Sequence, residues 1–276
     1  MPTPYIQLIL TDIDGTILTD QQALDPGLKE AVQALKPRQI PFILASARSP
    51  HGMFPLMEAL DLDRSPLACY NGALILSGDA KDYEIIAEHG LDRDDLGLIL
   101  DQVQEHFPQV AIGWYSGTDW LVNAHNQWTD IEHQITGDHP IVKDLQEVFT
   151  QGDRVAHKLL LIDEAEVIAE VQAFLETLPL KHSACYLSKA NYLEITHQSV
   201  SKEHALKEVA AFYQVPLANC LTLGDNFNDV PMLQAAGLGV AMANAPQAVQ
   251  DQADVVTASN NDRGVSRALQ RYVLKD

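Results

Sequence analysis

Ile6 to Thr16 read IQLILTDIDGT, and this stretch decides the fold. The run IQLIL over residues 6–10 lacks the alternation of a half-exposed strand and reads as a strand buried on both faces. It leads into Asp12 and Asp14, then into Gly15 and Thr16, which make a turn. Two carboxylates two residues apart at a strand end share a face, with Cα atoms about 6–7 Å apart. Doubly wound sheets bind ligands outside the carboxyl ends of their strands, where this pair sits. The D-x-D spacing alone carries nothing, since Asp61/Asp63 and Asp92/Asp94 also satisfy it. Only the first pair stands between a buried strand and a turn.

Working outward, residues 26–36 read as an amphipathic helix with Pro26 in its first turn. PFILA (41–45) is a second strand, residues 51–60 a helix and PLACY (66–70) a third strand. This β-α-β-α-β rhythm predicts an α/β fold with a doubly wound, Rossmann-like parallel sheet. It returns near the C-terminus: helix 201–213, strand CLTLG (220–224), helix 229–236, strands LGVAM (238–242) and ADVVT (253–257), helix 262–272. Between the two halves the pattern changes. A helix over 92–106 precedes QVAIGWY and DWLVNA, joined by Ser116-Gly117-Thr118. Strand HKLLLI (157–162) and helix 164–177 then precede SACYLS and NYLEIT. Helix followed by hairpin, twice, predicts an inserted α+β domain over residues 85–197. Residues 1–84 and 198–276 then form one discontinuous core domain.

The chain has 276 residues, with 38 Asp+Glu against 18 Lys+Arg and a net charge of −20. Such acidity repels nucleic-acid phosphates and anionic lipid, so neither nucleic acid nor membrane is an expected partner. Cys69, Cys185 and Cys220 lie far apart without C-x-x-C spacing, which excludes a disulfide framework and fits a reducing compartment. No apolar run approaches the roughly 20 residues a membrane helix needs. The N-terminal residues lack the basic region of a leader, and a cytoplasmic location is expected.

A second acidic group follows CLTLG in GDNFND: Asp225 ends the strand, and Asn228 and Asp229 open the next helix. Two such carboxylates near another carboxylate pair repel unless a cation neutralises them, and oxygen ligands suit Mg²⁺. Asp229 alone would equally serve a helix N-terminus. Ser46 and Arg48 follow the second strand in ILASARSP, and Lys202 opens the helix after the insert. A hydroxyl and fixed cations in sheet-end loops suit phosphoryl oxygens.

The joint order strand-D-x-D-G-T, strand-Ser, helix-Lys, strand-G-D-x-x-N-D resembles the haloacid dehalogenase-like hydrolase superfamily. Asn71-Gly72-Ala73, the insert between Ser46 and Lys202, and Met242-Ala243-Asn244-Ala245 resemble its Cof-type phosphatases with a type IIB cap. The resemblance implies Asp12 as nucleophile and Asp14 as general acid/base. It implies Asp12, Asp14 (through its carbonyl), Asp225 and Asp229 around Mg²⁺. Lys202 would act in catalysis and, with Ser46, Arg48, Asn71, Gly72 and Asn228, bind the phosphoryl group. Two positions depart from the family pattern: Ala47 stands where Gly is usual and limits backbone freedom, and Glu203 follows Lys202 where Gly is common.

The implied activity is Mg²⁺-dependent hydrolysis of small phosphorylated metabolites, a sugar phosphate or phosphorylated cofactor, through an aspartyl-phosphate. A sugar phosphomutase and a metabolite-binding regulator without turnover are the alternatives, and the sequence sets no oligomeric state. Trp114, Trp120 and Trp128 in the insert read as core aromatics in preference to a surface that stacks on a sugar-like leaving group. Asn244, before Ala245-Pro246, reads as a helix cap; Asn260-Asn261 resembles a family turn near the site, and an ordinary turn role explains it equally well. Gly237-Leu238-Gly239 lacks the third glycine of a dinucleotide site, and no P-loop or G-x-S-x-G occurs.

Overall fold

The computed structural model describes residues 5–275. The leader reading of residues 1–4 lies outside the described residues. The chain divides into two compact units. One comprises the described residues up to Ala47, Met53–Ala87 and the segment from Ser201 onward; the other comprises Arg48–Gly52 and Glu88–Val200.

The first unit starts with β1 (Leu8–Thr11), α1 (Leu28–Leu35), β2 (Phe42–Ala45), α2 (Pro50–Ala59, from Met53 onward) and β3 (Pro66–Cys69). In β1, β2 and β3 every residue is buried, which is why their sequences show no alternation. α1 buries Leu28, Ala31, Val32 and Leu35, the i, i+3, i+4, i+7 stripe of an amphipathic helix. It opens at Leu28 with Gly27 as N-cap, so Pro26 precedes the helix rather than joining its first turn.

After β3 the chain reverses through Tyr70, Asn71 and Gly72, all with positive φ. β4 (Leu74–Gly78) returns antiparallel to β3, with Leu67 opposite Leu76, and β5 (Tyr83–Glu88) follows at the sheet edge. The sequence reading had no strands here. The reversal depends on two non-glycine left-handed residues, for which composition gives no signal.

The second unit carries α3 (Arg93–His106), β6 (Ala111–Ser116), β7 (Asp119–Val122), α4 (Gln127–Thr136), β8 (Pro140–Val142) and α5 (Leu145–Gln151). β9 (Lys158–Ile162), α6 (Ala165–Leu175), β10 (Ser183–Lys189) and β11 (Tyr192–His197) complete it. Its sheet order is β10-β11-β9-β6-β7-β8, antiparallel except for the β7–β8 pair. Alternate residues Ile112, Trp114, Leu121, Leu159, Leu161, Leu193 and Ile195 form one face and pack with Ile99 and Val103 of α3 and Ile168 and Val171 of α6. Trp114 and Trp120 are both buried, as expected of core aromatics, whereas Trp128 in the first turn of α4 is only half-buried; Trp120 stacks on Tyr115 at 5.8 Å and 7° between planes. α4 and α5 were not expected. Both begin on side-chain caps, Asn126 and Asp144 respectively.

The chain then completes the first unit with α7 (Lys202–Phe212), β12 (Cys220–Gly224), α8 (Val230–Ala235), β13 (Leu238–Ala241), α9 (Gln247–Gln250), β14 (Val255–Val256) and α10 (Gly264–Tyr272). The order β14-β13-β12-β1-β2-β3-β4-β5 places β1 beside β12, parallel, with Thr11 opposite Leu223. The chain segments after these two strands therefore leave the sheet side by side. Among the described residues no helix is long and apolar enough to cross a membrane.

Candidate active site

Register brings the acidic motifs together. The Asp12 amide continues the β1–β12 pairing by donating to the Leu223 carbonyl at 2.9 Å. Asp12 and Asp225 thus leave the sheet from adjacent strands, although 213 residues apart in sequence. Asp12, Asp225 and Asp229 each present an oxygen, and these atoms lie within 4.8 Å of one another. Asp12 and Asp229 are buried, Asp225 half-buried.

Lys202, the first residue of α7, reaches into this group with only 2% exposure. Its Nζ donates to Asp12 Oδ1 at 2.5 Å and to Asp229 Oδ1 at 2.6 Å. Ser201 caps the helix from outside, accepting the His204 amide at 3.0 Å, which fixes where α7 begins and so where Lys202 points. Glu203, the departure from the family pattern, pairs with Lys207 one turn on, at the exposed surface.

One ammonium among three carboxylates leaves the group electrostatically unbalanced. Burial pushes the Asp12 carboxyl up to about 8; Lys202 opposes this, while Asp229 and Asp225 reinforce it. Asp225 is raised as well, by burial first, with Thr16 pulling the other way and Asp229 pushing up. Burial alone would depress Lys202, but Asp12 and Asp229 outweigh it and drive the ammonium upward. A bound divalent cation would reverse the sign of the field here. The donors are all hard carboxylate oxygens, a set that fits such a cation.

Asp229 has less freedom than a simple ligand. Its Oδ2 accepts the amides of Asp225 and Asn226 at 2.9 and 3.0 Å, and Oδ1 accepts Lys202. It therefore orders the loop that carries Asp225. A Cβ at Gly224 would stand 2.5 Å from the Asp229 Cβ, so only glycine fits before Asp225. Asn228 lies exposed on the same turn.

Asp14 is exposed at the turn after β1, where it pairs in an isolated bridge with Leu18. Gly15 has φ +77°, and an added Cβ would run into the Asp225 carboxylate. Thr16, read from sequence only as a turn residue, is buried and donates from Oγ1 to Asp225 Oδ1 at 2.8 Å. Its place in the D-x-D-G-T motif was the available signal.

Ser46 is buried just beyond β2; its amide donates to Ala68 O at 3.0 Å and its carbonyl accepts the Asn71 amide at 2.7 Å. Gly72, with φ +99°, lies against α7, where an added Cβ would meet Ala205 Cβ at 2.8 Å. The left-handed turn at Asn71 is thereby tied to the Ser46 strand end and to the helix bearing Lys202. Arg48 falls in the Arg48–Gly52 segment that groups with the second unit.

Comparison with known proteins agrees with this geometry. Residues 9–269 match the family model of the haloacid dehalogenase-like hydrolases. A Haemophilus influenzae protein carrying a provisional phosphatase designation is 35% identical, covering 95% of this chain and 96% of its own. The Escherichia coli pyridoxal phosphate phosphatase YbhA is 25% identical over 97% of this chain and 99% of its own. The solved subclass IIB sugar phosphatase BT4131 superposes with a TM-score of 0.77 at 19% identity, covering 98% of this chain and all of that one. The chain belongs to the haloacid dehalogenase-like hydrolases, among their Cof-type phosphatases.

Proposed function

We propose that the chain is a Mg²⁺-dependent phosphatase that hydrolyses small phosphorylated metabolites, a sugar phosphate or a phosphorylated cofactor, through an aspartyl-phosphate on Asp12. The observation that carries this reading is Lys202 seated between Asp12 and Asp229, beside Asp225. Relatives named for a phosphorylated cofactor and for sugar phosphates support the substrate class.

Asp12, Asp225, the Asp14 carbonyl and Asp229 would hold the Mg²⁺. When bound, the cation supplies positive charge that lets an anionic carboxylate approach an anionic phosphate. Asp12 attacks phosphorus through a carboxylate oxygen, and the P–O bond to the leaving group breaks. Asp14 gives its proton to the departing alkoxide. Water then attacks phosphorus, Asp14 takes the water proton, and cleavage of the Asp12–phosphoryl bond returns the carboxylate and inorganic phosphate. Lys202, held by Asp12 and Asp229, places a fixed positive charge beside the transferring group, with Ser46, Arg48, Asn71, Gly72 and Asn228 as the phosphoryl-binding set.

Phosphate release from a panel of phosphorylated metabolites tests the reading. Turnover of at least one member with Mg²⁺, abolished by EDTA and restored by Mg²⁺, is the expected result. Hydrolysis that persists after chelation, or no release from any member, would overturn it.

A further inference from the structure

Asn244 does not do what its sequence context suggests. It precedes Ala245-Pro246 and reads as the cap of α9, yet α9 has Pro246 as its N-cap and receives no side-chain cap. The carboxamide spans two other loops instead. Its Nδ2 donates to the Gly15 carbonyl at 2.8 Å, and its Oδ1 accepts the Asn260 amide at 2.9 Å. The partners fix the orientation of the amide, because a carbonyl only accepts and an amide N–H only donates.

The same grip extends along the turn that follows Asp14. Asn260, only 2% exposed, donates from Nδ2 to the Leu18 carbonyl and to Asp20 Oδ1, both at 3.0 Å. Asn261 accepts the Asp20 amide at 3.1 Å and donates to Asp20 Oδ2 at 2.8 Å. Three asparagines from the loops after β13 and β14 thus hold the loop after β1. From the other side Gly15 rests on the Asp225 carboxylate, and Thr16 donates to it.

We propose that Asn244 is a positioning residue for phosphoryl transfer, pinning the Gly15 carbonyl so that the adjacent Asp14 meets the leaving-group oxygen. Glycine is the most conformationally free residue, and here it follows the acid/base directly. A neutral amide is the side chain that donates to one loop while accepting from another; aspartate could only accept. Misplacing a reacting group by about 1 Å costs on the order of 10²-fold in rate. The inference rests on Asp14 being the acid/base of the proposed function.

The test compares two substrate classes under Mg²⁺ saturation. An aryl phosphate such as p-nitrophenyl phosphate leaves without protonation, whereas an alkyl phosphate needs the acid. The alkyl substrate used is the one turned over fastest in the metabolite panel. Asn244→Ala is expected to lose kcat on the alkyl phosphate on the order of 10-fold more than on the aryl phosphate, with KM little changed. Asn244→Asp keeps the acceptor for Asn260 but not the donor for Gly15, and is expected to show the same discrimination as Asn244→Ala. A structural loosening would reduce both substrates alike. Asp14→Asn, measured in parallel, separates the two claims. If Asp14→Asn discriminates by leaving group and the Asn244 variants do not, the positioning role is overturned. If Asp14→Asn itself shows no discrimination, the acid/base reading fails and the positioning role falls with it.

Discussion

Lys202 and Asp12 are 190 positions apart, yet the Lys202 ammonium donates directly to the Asp12 carboxylate inside the core unit. The contact exists because β1 ends at the site and α7 begins there. Lys202 is also the cation that meets Asp229. Lys202→Met therefore leaves three clustered carboxylates without that charge, at a cost of about 3–5 kcal/mol by the behaviour of broken buried pairs. Thermal melts should show a large drop in Tm that added Mg²⁺ partly reverses, since a ligand bound only by the folded state stabilises it. A melt unchanged from wild type would place Lys202 outside the electrostatic balance.

Asp12→Asn keeps the shape of the site and removes its nucleophile. The variant is expected to fold, with Tm near wild type, because the amide relieves repulsion with Asp225 and Asp229 while Lys202 retains Asp229. Phosphate release should fall below detection. Turnover near the wild-type rate in the folded variant would remove Asp12 from the chemistry.

Thr16→Val deletes one hydroxyl at constant shape. It leaves the Asp225 carboxylate short of a buried donor, costing about 1–2 kcal/mol, and lets that carboxylate turn. Metal affinity, read by calorimetric Mg²⁺ titration, is expected to weaken on the order of 10-fold. Thr16→Ser should stay near wild type. Equal affinities for Thr16→Val and wild type would show that the hydroxyl does not orient Asp225.

The second unit offers a pH test independent of the site. Asp95 accepts the Lys181 amide at 3.0 and 3.1 Å, the His182 amide at 2.8 Å and the Ser183 hydroxyl at 2.9 Å. Burial alone would raise its pKa, but the His182, Lys181 and Ser183 donors outweigh it and hold the carboxyl below the usual range. The folded value lies below the unfolded one, so the stabilisation is fully present above the unfolded pKa, about 3.9. It is lost as pH falls through the folded value. Asp95→Asn should be about 2 kcal/mol less stable at neutral pH, with the gap to wild type closing below pH ~4 in urea melts. A gap that widened in acid would contradict the assignment.

The sequence made the parallel core legible because its strands are buried on both faces and its helices carry a 3.6-residue stripe. CLTLG is a strand over the expected residues, and α1 buries the expected face. Asp12, Asp225, Asp229 and Lys202 were legible as well, since each stands at the end of a strand or the start of a helix. Thr16 and Asn244 were read as a turn residue and a cap, because their partners lie 209 and 229 positions away. Local propensity carries no record of such contacts. α4 and α5 were missed for a different reason. Their caps Asn126 and Asp144 look like ordinary loop residues until the amides they accept are seen.

The central claim is that phosphoryl transfer proceeds in two displacements, with Asp12 carrying the phosphoryl group between them. Each in-line displacement inverts configuration at phosphorus. The stereochemical course, measured with a substrate made chiral at phosphorus by oxygen isotopes and sulfur, tests it most directly. Net retention is the predicted result; net inversion, the signature of direct attack by water, would contradict the account.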